Sequence, residues 1–213
     1  CKPLTGKEIR TREIDSIISE IKYLKEHWNV QYVRFFDEVF IGSKYRIRAL
    51  CEAMIEEKLN IFWWCQTQVR LIDEDLLKIM KKAGCIEIAY GVESGSDVML
   101  EDMKKGINVD IIRNVLEATD RADIRITLNL LAGTPAETVV TLKETRDFLI
   151  ALNHINWANV SAIEFVVPLP GTELFDTAVA EGLIENPEIL VVEALAKMEK
   201  YSKSINMTQM SSE

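Results

Sequence analysis

Short apolar runs alternate with amphipathic stretches along this chain from residue 12 onward. Ile14, Ile17, Ile18, Ile21 and Leu24 recur at three- and four-residue steps, the spacing of one helical face, and the run YVRFF follows at 32–36. Ile47, Leu50, Cys51, Met54 and Ile55 mark a second helix behind a Ser43 N-cap, and IFWWC follows at 61–65. Leu76, Leu77, Ile79, Met80 and Ala83 form a third, capped by Asp73 and stopped by Gly84, ahead of IEIAY at 86–90. A fourth helix starts near Asn108 and leads into ITLNLLA; a fifth carries Val139, Val140, Leu142, Leu149 and Leu152 and leads into NVSAIEFVV. Further helices are expected near 173–181 and 188–202, the latter opened by Asn186-Pro187, before a frayed polar tail, NMTQMSSE.

Strand–helix repetition of this kind calls for parallel strands joined by helical crossovers. A doubly wound nucleotide fold would show GxGxxG after an early strand, and none occurs. A barrel instead places its chemistry at the carboxyl ends of several strands. Polar, glycine or proline residues follow each run here: Asp37-Glu38, Gln66, Glu93-Ser94, Gly133-Thr134-Pro135 and Pro168-x-Pro170-Gly171. A complete eight-unit barrel takes about 250 residues, so the expected fold is α/β, a parallel-stranded, partial (open) TIM-type barrel of five to six βα units. No linker or change of composition divides the chain, so residues 1–213 read as one domain, with barrel units over 1–185 and a C-terminal helix and tail over 186–213.

Composition narrows the classes. A net charge of −9 with dispersed basic residues argues against general nucleic-acid binding. No apolar run approaches the roughly 18 residues of a membrane span. Cys51, Cys65 and Cys85 each lie in apolar surroundings without CxxC spacing and read as buried thiols of a cytoplasmic protein. His27 and His154 stand apart from other ligand types and receive no role. Trp63, Trp64, Phe35 and Phe36 read as core.

The ordered strings FFDEVF, QTQVRLIDEDLLKIMKKAG, YGVESGSDVMLEDMKKG, LAGTPAET and PLPGTELFDTA resemble the radical S-adenosylmethionine (SAM) superfamily, over about residues 1–180. The branch they resemble contains cobalamin-dependent and methylthiotransferase-like members. The resemblance implies an enzyme that binds a 4Fe-4S cluster and SAM and cleaves SAM to a 5′-deoxyadenosyl radical that modifies a substrate. It implies an electron donor such as flavodoxin or ferredoxin, and leaves room for cobalamin through a domain outside these residues. The substrate, small molecule or macromolecule, is left open.

Site residues follow from the matching positions. The resemblance implies that Asp37 or Glu38 receives the SAM ammonium and that Glu93 meets a ribose hydroxyl, with Ser94 beside it. It places Lys105 against the SAM carboxylate, Gln66 at the cofactor, and the main chain around Gly133, Pro135 and Pro168 along adenine. As plain residues, Lys104 and Lys105 close a short helix, Ser96 caps it, Arg70 pairs with Asp73 or Asp75 or points to a ligand, and Glu137 lies in the first turn of the fifth helix. The family's G-x-P-G-E-T has Ala136 in place of its second glycine.

Family members hold the cluster through CxxxCxxC, a spacing found nowhere here. In this register Cys1 stands as the third cysteine, the metal ligand, so the first strand and two cysteines are expected upstream. The chain as given is therefore expected to lack an intact cluster and to be inactive. The alternatives are a non-catalytic barrel scaffold or a conventional barrel lyase. The lyase would want a strand-end lysine, and no strand here ends in one.

Overall fold

The computed structural model describes residues 10–37, 40–155, 158–184, 206–208 and 210. Cys1, Glu38 and the expected 188–202 helix lie outside them. Elements alternate in chain order as α1 (Ile14–Trp28), β1 (Tyr32–Phe35), α2 (Lys44–Glu56), β2 (Phe62–Thr67), α3 (Glu74–Lys82), β3 (Cys85–Glu93), α4 (Asp97–Asp102), α5 (Val109–Arg121), β4 (Arg125–Ala132), α6 (Val139–Ala151), β5 (Ala158–Phe165) and α7 (Glu173–Ala180). The five strands form one parallel sheet in sequential order, β1-β2-β3-β4-β5, as expected for part of a barrel.

The caps explain where the helices begin. Ser43, Asp73, Asn108, Thr138 and Thr172 each accept a hydrogen bond from a backbone N–H of the first helical turn. Glu137 therefore lies outside α6: Thr138 is its N-cap and forms a reciprocal capping box with Thr141. Gly84 ends α3 with φ +98°, and a Cβ there would lie 2.1 Å from the Ile61 carbonyl oxygen, so only glycine fits.

Strand parity sorts the side chains onto two faces. Trp63 and Cys65, Ile88, Tyr90 and Val92, and Ile126, Leu128 and Leu130 face the helices and are buried in the main core with Leu76, Leu77, Met80, Ile112 and Leu116. The indole of Trp63 donates to the Ala83 carbonyl at 2.9 Å, and Tyr90 shares a hydrogen bond with Thr119 at 2.8 Å, so both aromatic polar groups are satisfied. The three thiols are fully buried, as expected; burial pushes Cys51 up to about 12 and also raises Cys85. The tail is not frayed throughout: Met207 packs on Ala178 and Ile184, because its apolar side chain finds the exposed end of α7.

Candidate functional site

The opposite sheet face is polar. Arg34, Trp64, Gln66, Glu87, Gly91, Thr127, Asn129 and Asn159 line one cavity of about 690 Å³ that touches all five strands, so the sheet must curl around it. Hydrogen-bonded registers set the levels of this face. The deeper row runs Arg34–Trp64–Glu87–Arg125, the next Gln66–Ala89–Thr127–Asn159, and the next begins Gly91–Asn129. Thr127 donates to Glu87 at 2.8 Å.

Glu93 stands at the carboxyl end of β3, where the register with β4 shifts after Gly91. A bulge re-aims the side chain that follows it. Glu93 has φ +67°, a left-handed conformation that is costly, about 1 kcal/mol or more, for a residue with a Cβ. Its carboxylate folds back over Gly91, where a Cβ would meet Oε1 at 2.7 Å, and it accepts from the Lys105 ammonium at 2.8 Å. Both side chains are largely shielded, 24% exposed for Lys105 and 16% for Glu93. Lys105 and Gly91 also border a second cavity, of about 410 Å³, with Arg70 and Lys104. Two rims with basic groups therefore meet at the Glu93–Lys105 pair.

The loop carrying Glu93 is braced from α6. Ser94 and Thr145 share a hydrogen bond of 2.9 Å, Gly95 N–H donates to Thr145 at 3.1 Å, and Ser96 Oγ donates to Glu144. Ser96 occupies the N-cap position of α4 but gives its hydroxyl to α6 instead of capping. Lys104 closes α4 in a left-handed turn, φ +55°, and pairs with Glu173 at 2.6 Å in solvent. Glu137, buried, accepts from Gly133 N–H at 2.7 Å and so clamps the turn after β4; the φ of +90° at Gly133, not lack of space, selects glycine there. The neighbouring Thr134 hydroxyl is buried and has no partner among the described residues.

Of the residues expected to hold SAM, the structure brings Gln66, Glu93 and Lys105 to this mouth. Asp37 is exposed at a neighbouring cavity of about 520 Å³ along the open edge of β1, which shares Arg34 and Phe36 with the first. Ser94 turns its hydroxyl toward α6, while Gly133, Pro135 and Pro168 shape turns, with Pro168 buried. Arg70 hydrogen-bonds Gln68 at 2.8 Å rather than pairing with Asp73, whose carboxylate pairs with Lys44 at 2.7 Å. Phe36 is not core but 78% exposed, because parity puts it on the polar face. Sequence reasoning passed over Arg34, Glu87, Thr127, Asn129 and Asn159; their signal was polar residues at alternate positions within otherwise apolar strands.

A curled parallel sheet with charged and backbone groups at its carboxyl edge defines a partial barrel of the TIM type. The chain belongs to the radical SAM superfamily, whose model matches residues 3–149. It is 27% identical to an uncharacterized methyltransferase of Pyrococcus horikoshii, over 84% of this chain and 38% of that protein. Against the anaerobic magnesium-protoporphyrin IX monomethyl ester cyclase of Rubrivivax gelatinosus it is 25% identical, over 79% of this chain and 30% of the cyclase. The chain thus spans less than half the length of these curated relatives. The fold is similar to that of TsrM of Kitasatospora setae, a radical SAM methyltransferase solved with cobalamin and a 4Fe-4S cluster, with a TM-score of 0.70, 19% identity, and 82% of this chain and 33% of that one covered.

Proposed function

We propose that this chain is the core of a radical SAM enzyme that holds SAM at the carboxyl edge of its sheet, with Glu93 and Lys105 as the principal polar contacts. The observation that carries the reading is Glu93 itself: a strained, bulge-aimed carboxylate folded across a bare glycine and held by a shielded lysine at the cavity mouth. The cavity's volume falls in the range of small-molecule sites, about 300–1,000 Å³. Gln66 supplies an amide on the same face. Cluster-bound SAM would supply a 5′-deoxyadenosyl radical for modification of the substrate. The residues here bind the nucleoside end, fix its orientation and keep the polar face shaped around it.

The cluster does not fit among the described residues. They contain no group of three candidate ligands, and Cys51 and Cys85 are buried thiols whose acidity is suppressed. We assign the cluster to Cys1 and to two cysteines of the full-length protein, with reduction by a flavodoxin- or ferredoxin-type donor in a reducing cytoplasm. A cobalamin-binding domain in the whole protein is part of the same reading, supported by the likeness to TsrM. Sequencing the full-length reading frame and measuring iron and sulfide after anaerobic reconstitution tests the assignment. About four irons per chain, lost on Cys1→Ala, is the expected result; iron binding indifferent to Cys1 would refute it.

A further inference from the structure

Arg34 stands exposed on the polar face, one residue pair below the Gln66 level. Its guanidinium carbon lies 4.3 Å from the Trp64 ring centroid and 4.9 Å from that of Phe36. A guanidinium held over aromatic rings gains from the ring faces and keeps N–H donors for an acceptor. No ion pair joins Arg34 to a carboxylate among the described residues, a feature it shares with Arg46, Arg48, Arg70 and Arg125, unlike Arg12, Arg113, Arg121 and Arg146. Beside this shelf runs a strip of small residues, Ala89 and Gly91, between the Trp64–Gln66 strand and the Thr127–Asn129 strand; Ala89 is buried and the Glu93 carboxylate lies over Gly91. Phe36 stands exposed at one side of that strip. Across Trp64, the Glu87 carboxylate is fixed by Thr127 and repels a second anion from the far side.

We propose that the Arg34–Trp64 shelf is the anion-binding end of the substrate site, and that it takes a carboxylate carried on a flat, conjugated body. The carboxylate meets the guanidinium edge in a bidentate pair, and the body lies against the exposed ring of Phe36. The assignment rests on the reading that SAM occupies the upper, Glu93 end of the same face.

Calorimetric titration of the full-length protein with 2-naphthoate, 2-naphthamide, cyclohexanecarboxylate and, separately, S-adenosylhomocysteine tests this. The expected result is that naphthoate binds about tenfold or more tighter than its amide and than the non-planar acid. Arg34→Gln should erase the preference for the acid over the amide, and Arg34→Lys should restore it in part. Binding of S-adenosylhomocysteine should stay within about twofold in both variants. Absent naphthoate binding, equal affinity for acid and amide, or a preference that survives Arg34→Gln overturns the proposal. So does a parallel loss of S-adenosylhomocysteine, which would place Arg34 in the cofactor site. If the wild type binds naphthoate through Arg34 yet does not bind S-adenosylhomocysteine, the cofactor reading fails while the anion shelf stands.

Discussion

Replacing Gly91 by alanine separates the fold from the site. A Cβ at this position meets only Glu93, with Oε1 at 2.7 Å and the carboxyl carbon at 3.7 Å. The obstruction is the end of a flexible side chain, so the backbone has no reason to move, and alanine gains about 0.4–1 kcal/mol by restricting the unfolded chain. The carboxylate must instead leave the position in which it accepts from Lys105 at 2.8 Å. If that position is the one that binds the cofactor's nucleoside, the variant forfeits one charge-assisted hydrogen bond, about 1.5–3 kcal/mol. That corresponds to about a 10- to 150-fold weaker affinity for S-adenosylhomocysteine by calorimetry. The melting temperature should stay within about 4 °C of wild type, since 1 kcal/mol moves it about 2–4 °C at this size. Unchanged affinity would refute the role given to Glu93. A collapse of the melting temperature would refute the claim that only a side-chain tip is displaced.

Other consequences are equally direct. Glu93→Gln keeps the shape and removes the charge, and should weaken S-adenosylhomocysteine about tenfold or more while leaving naphthoate binding intact, as calorimetry will show. Gly84→Ala meets the Ile61 carbonyl and a positive φ together, so it should cost at least about 3 kcal/mol, and a drop of roughly 6–12 °C in thermal unfolding is expected. The Lys44 ammonium and the Leu76 N–H hold the Asp73 carboxyl below its ordinary 3.8. Because the folded value is the lower one, this contribution is complete above about pH 4 and is lost as the pH falls through the folded value. Asp73→Asn should therefore be less stable than wild type in urea at pH 7, and the deficit should shrink progressively as the pH falls below about 4. Cys51, Cys65 and Cys85 should resist iodoacetamide in the folded protein and label fully in guanidinium, by peptide mass spectrometry.

The fold was legible because both periods are clean. Apolar runs such as IEIAY and ITLNLLA place β3 and β4, and the caps at Ser43, Asp73 and Asn108 mark helix starts directly. Glu137 was misplaced because Thr138 competes for the cap and wins through its reciprocal bond with Thr141. At the site, Glu93 and Gln66 could be named from their places at strand ends, and Lys105 from the family resemblance. Their arrangement could not, since the left-handed turn at Glu93 and its reach across Gly91 depend on the β3–β4 register shift. Arg34 stayed hidden because YVRFF reads as a single apolar run. Its period-two neighbours, Tyr32 and Phe36, are aromatic, so Arg34 carries the only charge on that face of the run.

The central claim is that the carboxyl edge of this sheet holds SAM for cluster-dependent cleavage. Reduced, anaerobic full-length protein supplied with SAM and assayed for 5′-deoxyadenosine by liquid chromatography tests it most directly. Formation of 5′-deoxyadenosine that is abolished by Cys1→Ala and strongly reduced by Glu93→Gln is the predicted result. Undiminished formation in either variant would contradict the account.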